Sequence, residues 1–336
     1  MTHSRRSVLK RGAGLVAAGA AASLAGCSSA PDGGSAGFDG GYTAFFTLTD
    51  WANEVAADRA SFEDPVEVGR LGHGWTPDGT LAAEVASTDA FVYLDSPEFA
   101  WAQDLAETLE ADYDSVAVVD ALAGVEDDLL DWDHSHDEES GEDGHDEESG
   151  EDGHDDDRQH DPHVWVDPVF AATMVETIAT GLGEADPENA DAYADNAAAY
   201  AEELDAVDSA FQSIAESADR DVAVIAGHNS FQYLEARYGF RLHSPVGVSP
   251  QNEPSQSEIA DTIELVNSEG IDTVLYDRFE STTLAETIVE NSDATETRAV
   301  TPAGGTTEEW NDADYGYLEQ MTEINVPAFE RAFGLK

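Results

Sequence analysis

"PENADAYADNAAAYAEELDAVDSAFQSIAES", residues 187–217, carries apolar side chains at Tyr193, Ala197, Tyr200, Leu204, Val207, Phe211 and Ile214. The spacings of 4, 3, 4, 3, 4 and 3 place all seven on one face of an α-helix. Pro187 stands at a first-turn position, where its missing N–H is tolerated, and no further proline or glycine interrupts the segment. As helix it would run roughly 46 Å, enough to cross a whole molecule. A single seam of this kind serves either as a spine between two lobes or as a coiled-coil dimer contact. The flanking sequence favours the spine.

Upstream, short apolar runs alternate with amphipathic segments. Strands are expected at Tyr42–Leu48, Val66–Leu71, Ala90–Leu94 and Val116–Val119, and helices at Asp50–Ala57, Asp78–Ala86 and Pro97–Glu110. A helix at Asp167–Gly181 precedes the spine. Downstream, strands are expected at Asp221–Ala226, Thr273–Tyr276 and Thr297–Val300, and helices at Ser230–Tyr238, Ser255–Ser268, Thr282–Asn291 and Ala313–Phe333. This alternation predicts an α/β chain of two lobes, each a parallel sheet flanked by helices, joined by one long rigid helix. The lobes fall at 42–166 and 219–336, with a helical segment at 167–218 that contains the spine, 187–217.

The N-terminus reads as a targeting segment, residues 1–27, outside the fold. In "SRRSVLKRGAGLVAAGAAASLAGC", Arg5 and Arg6 form a twin-arginine pair ahead of an apolar run, Gly12 to Ala25, too short to span a membrane comfortably. Leu24-Ala25-Gly26-Cys27 resembles a lipobox, so Cys27 is expected to carry lipid, followed by a flexible tether at 28–41. Cys27 is the only cysteine, which excludes an intrachain disulfide. The expected location is the extracellular face of the cell membrane, held there by the lipid alone.

The charge balance is extreme: 72 acidic against 14 basic residues, a formal net charge of −58. Such a surface repels nucleic-acid phosphates and anionic membranes, so neither is an expected partner. The only lysine after the leader is Lys336. An acidic surface with almost no lysine resembles proteins of salt-accumulating halophilic archaea, where salt screens the self-repulsion.

Three histidines stand at informative places. His73, in "GRLGHGWTPDG", follows the expected strand Val66–Leu71, and His228, in "DVAVIAGHNSF", follows Asp221–Ala226. Ligands of open α/β sheets bind beyond the carboxyl ends of the strands. His163 lies in "DPHVWVDP", where an acidic tract gives way to helix. One histidine at a strand end is commonly a satisfied polar residue. Three converging imidazoles with an open position form a familiar zinc site, without the sulfur that copper(I) favours.

The segments "LGHGWTPDGTLAAEVASTDAFVY", "DPHVWVDPVFAATMVETIATGL", "NADAYADNAAAYAEELDAVDSAF", "GHNSFQYLEARYGFRLHSPVGVSPQNEPSQSEIADTIELVNSEGIDTVLYD" and "YGYLEQMTEINVPAFERAF" resemble, in order, the solute-binding lipoproteins of zinc and manganese ABC importers, the ZnuA-like or TroA-like type. They cover most of the chain from Tyr42 onward. The resemblance implies metal in the interlobe cleft, held by His73, His163 and His228. The third imidazole favours Zn2+ over Mn2+. It also implies an ABC permease and its ATPase as partners, a monomer, and a binding role rather than catalysis. One departure stands out: the family often carries an aspartate before a Pro-small-Gly turn, and here "RAVTPAGG" has Thr301 there. Threonine is a poor zinc ligand, which leaves the fourth position to water or to a carboxylate elsewhere.

The tract before His163 belongs to the same resemblance. HDEESGEDG occurs at 136–144 and again at 145–153, and His134, His136, His145, His154 and His160 lie in the loop 134–160. Zinc-type relatives commonly carry such a loop. Two readings follow: a flexible auxiliary capture loop, binding weakly because its ordering costs entropy, or a solvated acidic insertion. Among other functions, a manganese or iron carrier of the same family fits the site. A zinc hydrolase lacks H-E-x-x-H and G-x-S-x-G motifs here, and an adhesion lipoprotein would bind metal only incidentally.

Overall fold

The computed structural model describes residues 37–72, 74–131, 160–247 and 252–335. The N-terminal lobe is built from β1 (Gly40–Thr43), α1 (Phe46–Ala56), β2 (Ser61–Glu63), α2 (Leu81–Val85), β3 (Ala90–Tyr93), α3 (Ala100–Asp112) and β4 (Ala117–Asp120). Its sheet runs β2-β1-β3-β4, with every pairing parallel.

Two expectations in this lobe need correction. The apolar run Tyr42–Leu48 is not one strand, because β1 stops at Thr43 and α1 begins at Phe46. Leu48, Trp51, Ala52 and Val55 recur at helical spacing and are buried, so the helix period overrides the strand reading. Val66–Leu71 is a loop, and the strand that pairs with β1 is Ser61–Glu63. The loop's backbone is committed elsewhere. Val66 N–H donates to the Asp64 carboxylate, and Gly69, at φ +91, donates to Thr306 O on the other side of the cleft.

The link is a helical hairpin, α4 (Pro168–Ala185) and α5 (Ala190–Ser217). Asp167 caps α4 by accepting from the N–H groups of Val169 and Phe170, with Pro168 in the first turn. Pro187 lies in the connecting turn, three residues before α5 begins. That turn is fixed by Asp186, whose carboxylate accepts from Asn189 and from the Tyr193 hydroxyl. At 28 residues α5 is roughly 42 Å long. All seven seam residues are buried. The helix packs on α1 at one end and on the C-terminal lobe at the other. Asn196 donates to Val55 O, and Asp208 accepts from the Tyr238 hydroxyl.

The C-terminal lobe repeats the plan: β5 (Val222–Ile225), α6 (Gln232–Tyr238), β6 (Arg241–His243), α7 (Gln256–Glu269), β7 (Thr273–Asp277), α8 (Thr283–Glu290) and β8 (Glu296–Val300), in the parallel order β6-β5-β7-β8. α7 opens on a capping box, Ser255 with Glu258. β6 has no counterpart in the sequence reading, since three residues are too few to show a period.

The expected closing helix, Ala313–Phe333, is broken. After α9 (Glu308–Asp312), Asp314 takes a positive φ, and the chain resumes as α10 (Tyr317–Glu319), a π-helical turn (Gln320–Asn325) and α11 (Val326–Ala332). Pro327 lacks the N–H that would continue an α-helical ladder through that turn. Around the turn the two lobes are tied by polar contacts. Thr47 Oγ1 donates to Ala303 O at 2.6 Å, Trp165 Nε1 to Pro302 O at 2.6 Å, and Tyr317 N–H to the Asp50 carboxylate at 2.9 Å.

Leu204→Ala, in the middle of the seam, is expected to lower unfolding free energy by about 2–5 kcal/mol in denaturant titration. Glu202→Ala on the exposed face should stay within about 0.5 kcal/mol. Equal effects would contradict the burial of the seam.

Candidate metal centre

The sheet order of the C-terminal lobe reverses between β5 and β7. Successive connections leave in opposite directions there, which opens a crevice beyond the strand ends. Both adjacent strands deliver to it a residue of a type able to ligate a metal. His228 comes three residues after Ile225, the end of β5, and Asp277 is the last residue of β7. The register Ile225↔Leu275 holds these strand ends level.

His163 enters from the 3₁₀ turn His163–Val166. Its placement depends on Trp165, which packs against Phe45 at 4.8 Å and donates from Nε1 to Pro302 O. The imidazole planes of His163 and His228 are tilted, with centroids 5.5 Å apart. Both residues are buried, 2 % and 1 % exposed.

Each imidazole has its own carboxylate. Asp161 Oδ1 lies 2.7 Å from His163 Nδ1 and also accepts from the His163 backbone N–H. Glu280 Oε1 lies 2.5 Å from His228 Nδ1. A carboxylate can only accept from a neutral ring, so Nδ1 carries the proton in both and Nε2 presents its lone pair. Both Nε2 atoms are buried.

Asp277 is 1 % exposed. Its Oδ1 accepts from Phe279 N–H, while Oδ2 is buried with no hydrogen-bond partner. Burial pushes its carboxyl up to about 7, with His228 pulling the other way. Burial would lower His228, but the Glu280 and Asp277 carboxylates reverse the direction and raise it. One ligand atom each from His228, Asp277 and Glu280 lies within 4.8 Å of the others. A histidine nitrogen and an aspartate oxygen are donors that suit zinc. A buried carboxylate oxygen without a hydrogen bond is costly unless a proton or a cation faces it.

Asp277, Glu280 and Asp161 were missed by sequence reasoning. Asp277 leaves a weak signal, a carboxylate ending the apolar run "TVLYD". Thr301 stands at the uncertain fourth-ligand position, which the resemblance left to water or to a carboxylate elsewhere. Its hydroxyl donates to Gln320 Oε1 at 2.9 Å and accepts from Ala303 N–H, while its backbone is clamped by Asn325. The hydroxyl is thus committed to the interlobe turn.

His73 lies outside the described residues. Its neighbour Gly72 sits on Phe45 and Phe99, whose rings also pack on Trp165. Cys27, His134, His136, His145 and His154 also lie outside the described residues. His160 forms a two-strand bridge with Asp131, its Nδ1 3.9 Å from that carboxylate. Beside it, Asp161 N–H donates to Leu130 O, and the Tyr233 hydroxyl donates to Asp161 O while accepting from Leu130 N–H. Positions 131 and 160, which flank the acidic tract, are therefore clasped against the residue that orients His163.

The profile of a family described as zinc-uptake complex component A, periplasmic (ZnuA), matches residues 42–332. The zinc-binding lipoprotein AdcA of Streptococcus pneumoniae is 29% identical over 295 residues, covering 86% of this chain and 54% of that protein. The chain thus spans about half the length of this relative. The high-affinity zinc uptake system protein ZnuA of Bacillus subtilis is 26% identical over 294 residues, covering 88% of this chain and 87% of its own. The crystal structure of the Zn(II)-bound ZnuA-like domain of the pneumococcal AdcA superposes with a TM-score of 0.70 at 26% identity, covering 88% of this chain and 99% of that one.

Tyr233→Phe removes the hydroxyl that joins Leu130 to Asp161. It is expected to cost about 1–3 kcal/mol in denaturant titration, because buried backbone groups lose a partner. Amide hydrogen exchange should quicken at Leu130 and at Asp161, whose N–H groups both belong to the clasp. Unchanged exchange at both would contradict the role given to the hydroxyl.

Proposed function

Because the chain belongs to the ZnuA family of zinc-uptake components, we propose that it is the capture component of an ABC importer, binding Zn2+ outside the membrane and passing it to a permease driven by its ATPase. The observation that carries this reading is the convergence at one switch point of two carboxylate-oriented imidazoles and the buried, unbonded Oδ2 of Asp277. His163 and His228 supply Nε2, Asp277 supplies an oxygen, and His73 completes a tetrahedral set. Relatives named for zinc binding and zinc uptake support the choice of ion.

The same proposal takes Cys27 as the site of a lipid anchor, after export through the twin-arginine leader. No helix among the described residues is long and apolar enough to cross a membrane. The acidic tract, flanked by the clasp at Asp131 and His160, is proposed to concentrate zinc beside the centre without contributing a tight ligand.

Metal analysis of the purified protein by mass spectrometry, with competition against a chelator, tests the reading. One tightly held zinc per chain is expected. His228→Ala should abolish tight binding. Asp277→Ala should weaken it by more than the roughly 10–100-fold typical of losing an outer-shell partner. Deleting 136–158 should leave the tight ion in place. Manganese in the parent, or tight zinc surviving in a His73/His163/His228 triple alanine variant, would overturn the proposal.

Zinc must displace protons from these groups. With His228 raised and Asp277 at about 7, proton competition sets in as pH falls through neutrality. Affinity is therefore expected to be flat at alkaline pH and to fall below about 7. Calorimetry in buffers of different ionisation enthalpy should show proton release on binding near neutral pH and less above it.

A further inference from the structure

We propose that Glu280 is a positioning residue for His228 and not a ligand of the ion, an inference that rests on the zinc-capture reading above. The turn after β7 delivers two carboxylates to one imidazole. Phe279 N–H donates to Asp277 Oδ1, and Glu280 N–H donates to Asp277 O at 3.0 Å, so residues 277–280 fold back on themselves. Asp277 stays in the crevice, while Glu280 reaches the Nδ1 side of His228 at 2.5 Å.

The two nitrogens of an imidazole lie on opposite sides of Cε1. An oxygen hydrogen-bonded to Nδ1 does not also reach an ion held by Nε2. Glu280 therefore competes for no coordination position. It keeps the proton on Nδ1, and so keeps the Nε2 lone pair directed at the metal.

Its seat is built into the strand exit. Gly227 directly precedes His228, and a Cβ there would collide with Glu280 Oε2. The missing side chain at Gly227 makes room for the carboxylate across the backbone of the residue it orients. Asp161 does the same for His163 from a fully buried position, tied by its own backbone to Leu130. Glu280 is 31 % exposed, so its place depends more heavily on the Gly227 seat.

Three variants and two readouts test this. Glu280→Ala should lower zinc affinity roughly 10–100-fold while keeping one ion per chain and the parent's Co2+ absorption envelope. Glu280→Gln, whose amide oxygen still accepts from Nδ1–H, should stay within about threefold of the parent. Gly227→Ala should reproduce the Glu280→Ala loss. The second readout needs no metal: long-range ¹H–¹⁵N NMR at alkaline pH should show His228 protonated on Nδ1 in the parent and in Glu280→Gln, and shifted towards Nε2–H in Glu280→Ala. A Gln variant as weak as Ala, with a changed Co2+ spectrum, would make Glu280 a ligand and overturn the proposal. An Ala variant matching the parent in affinity and tautomer would also overturn it. If the parent binds no zinc, the zinc-capture reading fails, while the tautomer readout still decides the role of Glu280.

Discussion

The pairing of β5 with β7 is the constraint on which the centre rests. Their register sets Ile225 beside Leu275, so the chain leaves the sheet at a fixed height on both strands. Side chains alternate between sheet faces, so a slip of one residue would turn Asp277 away from the crevice. The other wall must then be held to that frame. Trp165 does this by binding Pro302 O with its indole N–H, and its own carbonyl accepts from the Tyr317 hydroxyl at 2.6 Å. Arg237, on the helix that follows His228, pairs with Asp167, the cap of α4. The segment carrying His163 is thereby fixed to both the hairpin and the C-terminal lobe. The buried seam of α5 packs against elements of both lobes beneath it.

Charge explains why so many carboxylates gather at two imidazoles. Asp161, Asp277 and Glu280 surround them, and Glu98 of the N-terminal lobe feels both His163 and Asp161. In a buried site such an excess of negative charge is disfavoured unless protons or cations neutralise it. Burial raises both Asp277 and Glu98, the response expected when protons take that role. A divalent cation neutralises the same cluster more completely. The acidic surface of the chain adds long-range attraction for cations, which salt weakens over roughly 10 Å, whereas the buried cluster is screened far less.

Long periodic features were legible in the sequence and short ones were not. The seam of α5 announced itself because its spacing repeats along nearly the whole helix, and each of its members is buried. β3, β4, β5, β7 and β8 were legible as apolar runs between helical segments. β2 and β6, at three residues each, carry no readable period, and Val66–Leu71 imitated a strand by composition while its backbone bonded elsewhere. His163 and His228 were legible from their motifs. Glu280 was not, because its role depends on a turn geometry and on the absence of a side chain at Gly227.

The fourth position, which the sequence left to water or to a carboxylate elsewhere, has a topological context. Thr301 follows β8, an edge strand that is separated from β5 by β7. A partner for His228 at the crevice must come from the strand beside β5 on the other side of the reversal, and that strand is β7. Strand order is a non-local property, so the sequence singled out position 301 and not Asp277. Thr301 itself is engaged in the interlobe lock. Gln320 and Asn325 stand five residues apart, the spacing that a π-helical turn brings onto one side, and both reach back to residues 301–305. The edge strand thus secures the cover of the cleft, while the inner strand supplies its chemistry.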